Sequence, residues 1–140
     1  MKALVQRVSR ASVIVAGRQV STIGEGMLVL LGVDVGDRQI DAERLARRVR
    51  ALRIFADAEG AMNEPLRDRE ILCVSQFTLC ANTRKGNRPS FSEAAAPTVA
   101  EPLYKRFCEE AKALEGVFGA KMSIEMVCDG PVTVLLESRD

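Results

Sequence analysis

"MLVLLGV", residues 27 to 33, is an apolar run of strand length with no alternation. A strand with one wet face alternates polar and apolar; a continuous run belongs to a strand covered on both faces. Such a strand sits inside a sheet and needs neighbours, and the flanking sequence supplies them. Upstream, residues 4–8 and 12–16 read as two short strands rich in β-branched side chains. Gly17-Arg18 suits a two-residue hairpin turn, with residues 19–23 returning. Downstream the period changes. Ala42, Leu45, Ala46, Val49 and Leu52 recur at helical spacing, and Asp37 or Asp41 is placed to cap the start. Arg44, Arg47, Arg48 and Arg50 fall mainly off that stripe, as a solvated face or as phosphate contacts.

Residues 57–70 are turn-rich and lead to a strand over 71–79. Residues 81–97 show no period and hold Gly86, Pro89 and Pro97. A loop of that length inside a compact domain is usually functional or disordered. A second helix follows, with Leu103, Phe107, Ala111 and Leu114 on one face. Thr98 and Glu101 fit a capping box and Gly116 a stop. Residues 124–127 and 132–136 read as two last strands separated by "CDGP". The sum is one domain over residues 1–140, α/β of the α+β-like kind. Its sheet is mixed or barrel-like and carries two main helices.

Composition narrows the function. The net charge is +1, so any nucleic-acid surface must be a local patch. No apolar run approaches the roughly 18 residues of a membrane helix, and the N-terminus lacks a signal-peptide apolar block, so a cytoplasmic protein is expected. Cys73, Cys80, Cys108 and Cys128 form no C-x-x-C pair and read as free thiols. There is no histidine. That removes Ser-His-Asp and Cys-His catalysis and the usual neutral-pH base. No phosphate-cradling glycine loop is present, and no carboxylate pair stands out by spacing.

What remains is "SQFT", residues 75–78, followed by "TRKGNRPSF", residues 83–91. In an extended strand Gln76 and Thr78 share one face, and Ser75 and Phe77 the other. Hydroxyl, amide and backbone N–H groups at a strand end can donate to a developing oxyanion; they also fit a solvent-facing edge. Arg84, Lys85 and Arg88 are a phosphate site or a solvated loop. In "CDGPVT", residues 128–133, Pro131 cannot donate to a ladder and must lie at an edge, a strand start or a bend. Only about 5–6% of X–Pro bonds are cis, so the residues alone favour trans.

"VSQFTL", "RKGNRPSF" and "DGPVT", with "QRV" near the start and "FGAKM" at 118–122, together resemble the D-aminoacyl-tRNA deacylase family over essentially the whole chain. The resemblance implies hydrolysis of the ester joining a D-amino acid, or mischarged glycine, to the tRNA 3′ end. It implies a homodimer with its site at the subunit interface. It also implies a cis Gly130–Pro131 motif that reaches into the partner's site and rejects L-aminoacyl esters. The oxyanion-type site would comprise Ser75, Gln76, Phe77 and Thr78. Arg7 would hold the Gly-Pro segment, with Met122 nearby, and Arg84, Lys85 and Arg88 would approach the tRNA. No cofactor or metal is implied, and the terminal ribose 2′-hydroxyl is expected to assist. The chain departs from the family at Cys128, where the motif usually has asparagine. Three rivals remain: an RNA-binding module without catalysis, a structural homodimer, and a mechanism with Thr78 as covalent nucleophile.

Overall fold

The apolar run at 27–33 is the heart of the sheet. The computed structural model describes residues 1–139. In chain order the elements are β1 (Lys2–Val15), β2 (Arg18–Ile23), β3 (Gly26–Gly32), α1 (Gln39–Arg50), β4 (Phe55–Ala56), β5 (Met62–Glu64), β6 (Glu70–Ser75), a 3-10 turn (Phe77–Cys80), α2 (Pro97–Ala111), β7 (Leu114–Glu115) and β8 (Ser123–Glu137). β3 pairs antiparallel with β1 and parallel with β6, so both its edges are filled. Met27, Val29 and Leu31 face a core under α1 and α2, while Leu28 faces a second core made by strands alone. The sheet order is β2-β1-β3-β6-β7, with β8 on the free side of β1. β2 also lies against β6 and β7, which curls this mixed sheet nearly into a barrel.

Several local expectations are corrected. The two strands expected at 4–8 and 12–16 are one strand, β1. Its pairing with β8 slips between Val8 and Arg10, so Ser9 is an extra residue. One extra residue resets the alternation. Val8, Ala11 and Val13 therefore all face the strand-lined core, while Ala3 and Val5 face the helices. The hairpin turn is Ala16-Gly17, not Gly17-Arg18, because Val15 pairs with Arg18. Both turn residues have positive φ, 50° and 77°, as a tight hairpin requires.

The two strands expected at 124–127 and 132–136 are likewise one strand, β8. Gln6 pairs with Thr133 and Val8 with Cys128, so four residues of β8, 129–132, stand opposite Arg7 alone. β8 swells there but does not end.

α1 forms on the expected stripe, burying Ala42, Leu45, Ala46 and Val49. The Asp41 carboxylate accepts the Arg38 N–H at 2.8 Å and covers one unpaired donor of the first turn. Asp37 lies instead in the interior, 2.7 Å from the Met1 ammonium. Three arginines off the stripe tie the helix down. Arg47 meets Glu110, Arg48 donates to the Glu137 carbonyl and Arg50 to the Ala111 carbonyl.

In α2 the Thr98–Glu101 capping box does not form. Pro97 occupies the first helical position, which places Thr98 inside the helix. The helix stops at Lys112, in the left-handed conformation, four residues before Gly116. Its buried face is Ala100, Tyr104, Phe107, Cys108 and Ala111; Leu103 is half-buried and Leu114 belongs to β7.

Candidate active site

β6 ends earlier than expected, at Ser75. The Gln76 N–H still donates to the Leu31 carbonyl at 2.8 Å, the last rung toward β3. The chain then winds into the 3-10 turn. Gln76 and Thr78 therefore do not share a strand face. The expectation fails because Phe and Thr are both good strand formers and nothing local announces the turn. The turn packs closely over Gly32. A Cβ there would lie 3.1 Å from both the Cys80 Sγ and the Leu79 Cβ, and 3.2 Å from the Gln76 carbonyl oxygen.

The change of geometry matters chemically. The first N–H groups of a helical turn have no partner within it. Here those are the backbone N–H groups of Phe77 and Thr78, while Leu79 and Ala81 donate back to Gln76 and Thr78. The Gln76 side-chain amide donates to the Thr78 hydroxyl at 2.6 Å.

Ser75, Gln76 and Phe77 form one wall of a cavity of about 620 Å³. Val33 and Val74 also line it, as do Ala94, Ala95, Ala96 and Pro97 from the approach to α2. Opposite stand Phe118, Gly119, Ala120, Met122 and Ile124. Met122 is held by an N–H from Val117, 3.4 Å from its sulfur. Thr78 is exposed and outside the cavity lining. None of the lining residues is ionisable. No cysteine lines the cavity either. Burial pushes the Cys73 thiol well up, and pushes Cys80 up to about 12 with help from its hydrogen bond to Asp34.

The loop over 81–96 is pinned at its neck, where Asn82 and Ser90 exchange backbone hydrogen bonds of 2.7 and 2.9 Å. Phe91 returns from it to meet Phe77 edge-on, ring centroids 5.1 Å apart. Arg84, Lys85 and Arg88 are exposed and make no ion pair among the described residues. They stand at the tip of a loop whose base reaches the cavity.

Gly130 and Pro131 lie elsewhere. They are exposed in the swelling of β8, joined by a cis bond, and line no part of this chain's cavity. Arg7 reaches the segment, donating from Nε to the Asp129 carbonyl at 3.0 Å and from Nη1 to the Ile54 carbonyl at 2.6 Å. Met122 belongs to the cavity, with Ser75 to Phe77. Sequence reasoning missed Phe91, Ala94 to Pro97 and Phe118 as wall residues; the unusually long loop was the available signal.

Among the described residues, no helix is long and apolar enough to cross a membrane. The model of the D-Tyr-tRNA(Tyr) deacylase family matches residues 4–137. The D-aminoacyl-tRNA deacylase of Dehalococcoides mccartyi is 57% identical, over 100% of this chain and 96% of that protein. That of Roseiflexus castenholzii is 53% identical, over 99% of this chain and 92% of that protein. Among solved structures, a c-Myc DNA Unwinding Element Binding Protein superposes with a TM-score of 0.92 at 44% identity, covering 98% of each chain. A probable eukaryotic D-amino acid tRNA deacylase has the same fold, with a TM-score of 0.78 at 21% identity, over 97% of this chain and 98% of that one. A family model matched over residues 4–137 and relatives matched over nearly their whole length place the chain in the D-Tyr-tRNA(Tyr) deacylase family, as an enzyme that hydrolyses D-aminoacyl-tRNA.

Proposed function

We propose that the enzyme is a cytoplasmic homodimer that cleaves D-aminoacyl and glycyl esters at the tRNA 3′ end and rejects L-aminoacyl esters by shape. One observation carries the reading. Gly130 and Pro131 are exposed on an edge strand and held there by Arg7, yet they do not enter the cavity of their own chain. A second copy gives them a cavity to enter. Gly130 and Pro131 of the partner subunit then wall off the space that an L side chain would need. Backbone suits such a wall because it has no rotamer to swing aside. Glycine has no side chain to meet the wall and is cleaved with the D-residues.

The chemistry needs no titrating side chain. Water adds to the ester carbonyl, and the backbone N–H groups of Phe77 and Thr78 receive the negative charge on its oxygen. The bond to the 3′ oxygen then breaks, and that oxygen takes the proton. The neighbouring 2′-hydroxyl assists the proton transfer. Thr78 is not the nucleophile in this scheme. Its hydroxyl is engaged by the Gln76 amide and lies outside the cavity lining, and no base stands beside it.

Two experiments test the reading. Purified enzyme should release D-amino acids and glycine from charged tRNA and leave L-esters intact, and Thr78→Ala should keep measurable activity. An adduct trapped on Thr78 by mass spectrometry, or equal cleavage of D- and L-esters, contradicts it. The second concerns the loop. Arg84, Lys85 and Arg88 are proposed to hold tRNA phosphates, so converting all three to Gln should weaken tRNA binding and reduce its log–log salt slope by about 2. An unchanged slope moves the RNA surface elsewhere.

A further inference from the structure

The swelling of β8 is held from both ends. Arg7 grips the upstream limb, at the Asp129 carbonyl. The next rung of β1 grips the downstream limb. The Gln6 side chain donates from Nε2 to the Val132 carbonyl at 3.2 Å, and its Oε1 accepts from the Thr133 hydroxyl. The orientation of this amide is dictated by its partners. A carbonyl can only accept, so the NH2 must face Val132 and the oxygen must face Thr133. Gln6 is half-buried, and its backbone pairs with Thr133 at the rung where regular pairing resumes. Gly130 adds to the constraint. Its φ of 133° is one that L side chains rarely adopt, and a Cβ would lie 2.8 Å from the Val132 nitrogen.

We infer that Gln6 and Thr133 form the second half of a clamp that fixes where Gly130 and Pro131 stand, and so act as positioning residues for stereochemical selectivity. A wall excludes by shape only if it cannot yield. Arg7 alone fixes one end of a four-residue arch; the far end would remain free to lean. With Gln6 and Thr133 in place, the arch is tied at both feet to consecutive residues of one strand. The selectivity part of this inference rests on the proposed role of Gly130 and Pro131; the clamp itself does not.

The decisive variant is Gln6→Glu. It preserves size and the acceptor for Thr133 but replaces the donor facing Val132 with an oxygen. Two further variants bracket it: Thr133→Val removes the hydroxyl at constant shape, and Thr133→Ser restores a hydroxyl. The first readout is amide hydrogen exchange over residues 128–133, which needs no substrate. The second is the ratio of D- to L-aminoacyl-tRNA cleavage. Gln6→Glu should exchange faster in that segment while the rest of the sheet stays protected, and its D/L ratio should fall about tenfold or more. Thr133→Val should move both readouts the same way, and Thr133→Ser should return them. Exchange in 128–133 that matches wild type in both Gln6→Glu and Thr133→Val overturns the clamp. Faster exchange with the D/L ratio of wild type overturns the role in selectivity. A wild type that cleaves D- and L-esters alike defeats the functional reading instead, and leaves the exchange result to decide the clamp.

Discussion

Gly26→Ala should strip the chain of a large part of its stability. Gly26 opens β3, where it pairs with Val8 on one side and Glu70 on the other. A Cβ at this position would lie 1.9 Å from the Glu70 carbonyl oxygen and 2.9 Å from its carbon. Both are backbone atoms, so no side-chain rotation relieves the overlap. Either β3 and β6 part at this rung or β3 tilts away from β1. Both movements open the two cores at once, because β3 feeds Met27 into one and Leu28 into the other. The expected loss is about 4 kcal/mol or more, a large part of the roughly 5–15 kcal/mol that holds such a domain together. Urea denaturation followed by circular dichroism measures it. A midpoint equal to that of wild type would show that the sheet accommodates the methyl group.

Placing lysine at both Met126 and Val127 should separate the subunits and abolish most of the activity without unfolding the chain. β8 pairs with β1 on one side only, leaving a long strand edge open. Its apolar side chains are unusually bare, with Met126 47%, Val127 41% and Leu135 54% exposed. Open edges with apolar side chains attract another chain unless charge or cover prevents it. If a second subunit supplies that cover, two lysines per chain placed there meet across the two-fold axis and repel. The fold should survive, because these side chains contribute little to their own chain's cores. If Gly130 and Pro131 of the partner subunit complete the cavity, deacylation should drop about 100-fold in the monomer, because the open cavity no longer orients an ester, and rejection of L-esters should be lost with it. Light scattering and single-turnover assays read the two effects. A monomeric wild type, or a monomeric variant with full activity, rules out the shared site.

Legibility in the sequence followed local physics. "MLVLLGV" was readable because burial on both faces leaves one unbroken signal. The helix α1 was readable for a similar reason: its buried positions keep a single period from end to end. β1 and β8 were each cut in two because an extra residue, Ser9 in one and the 129–132 swelling in the other, resets the alternation on which the reading depends. The hairpin was misplaced by one because Ala16 accepts a left-handed conformation more typical of glycine. The end of β6 is hidden because the turn in "SQFTL" packs over Gly32, far away in sequence, and nothing local announces it. The motifs mark Ser75 to Thr78 as an oxyanion-type site, and of these Ser75, Gln76 and Phe77 line the cavity while Thr78 does not. The remaining walls come from Val33, from 94–97 and from 118–124, and only the closing of the sheet brings them together.

The lining of the cavity holds no ionisable side chain. If the ester is cleaved in this cavity, selection among substrates is stored in volume and contour, and no proton belonging to a wall side chain can erase it. Acidification that would silence a histidine enzyme leaves this chamber the same shape as long as the fold stands. The cost falls on tolerance to substitution. One methyl group gained or lost along Ala94 to Pro97 changes the contour directly, whereas exchanging charges on the outer surface leaves it untouched. Inheritance should accordingly be strict about size inside the chamber and lenient about charge outside it.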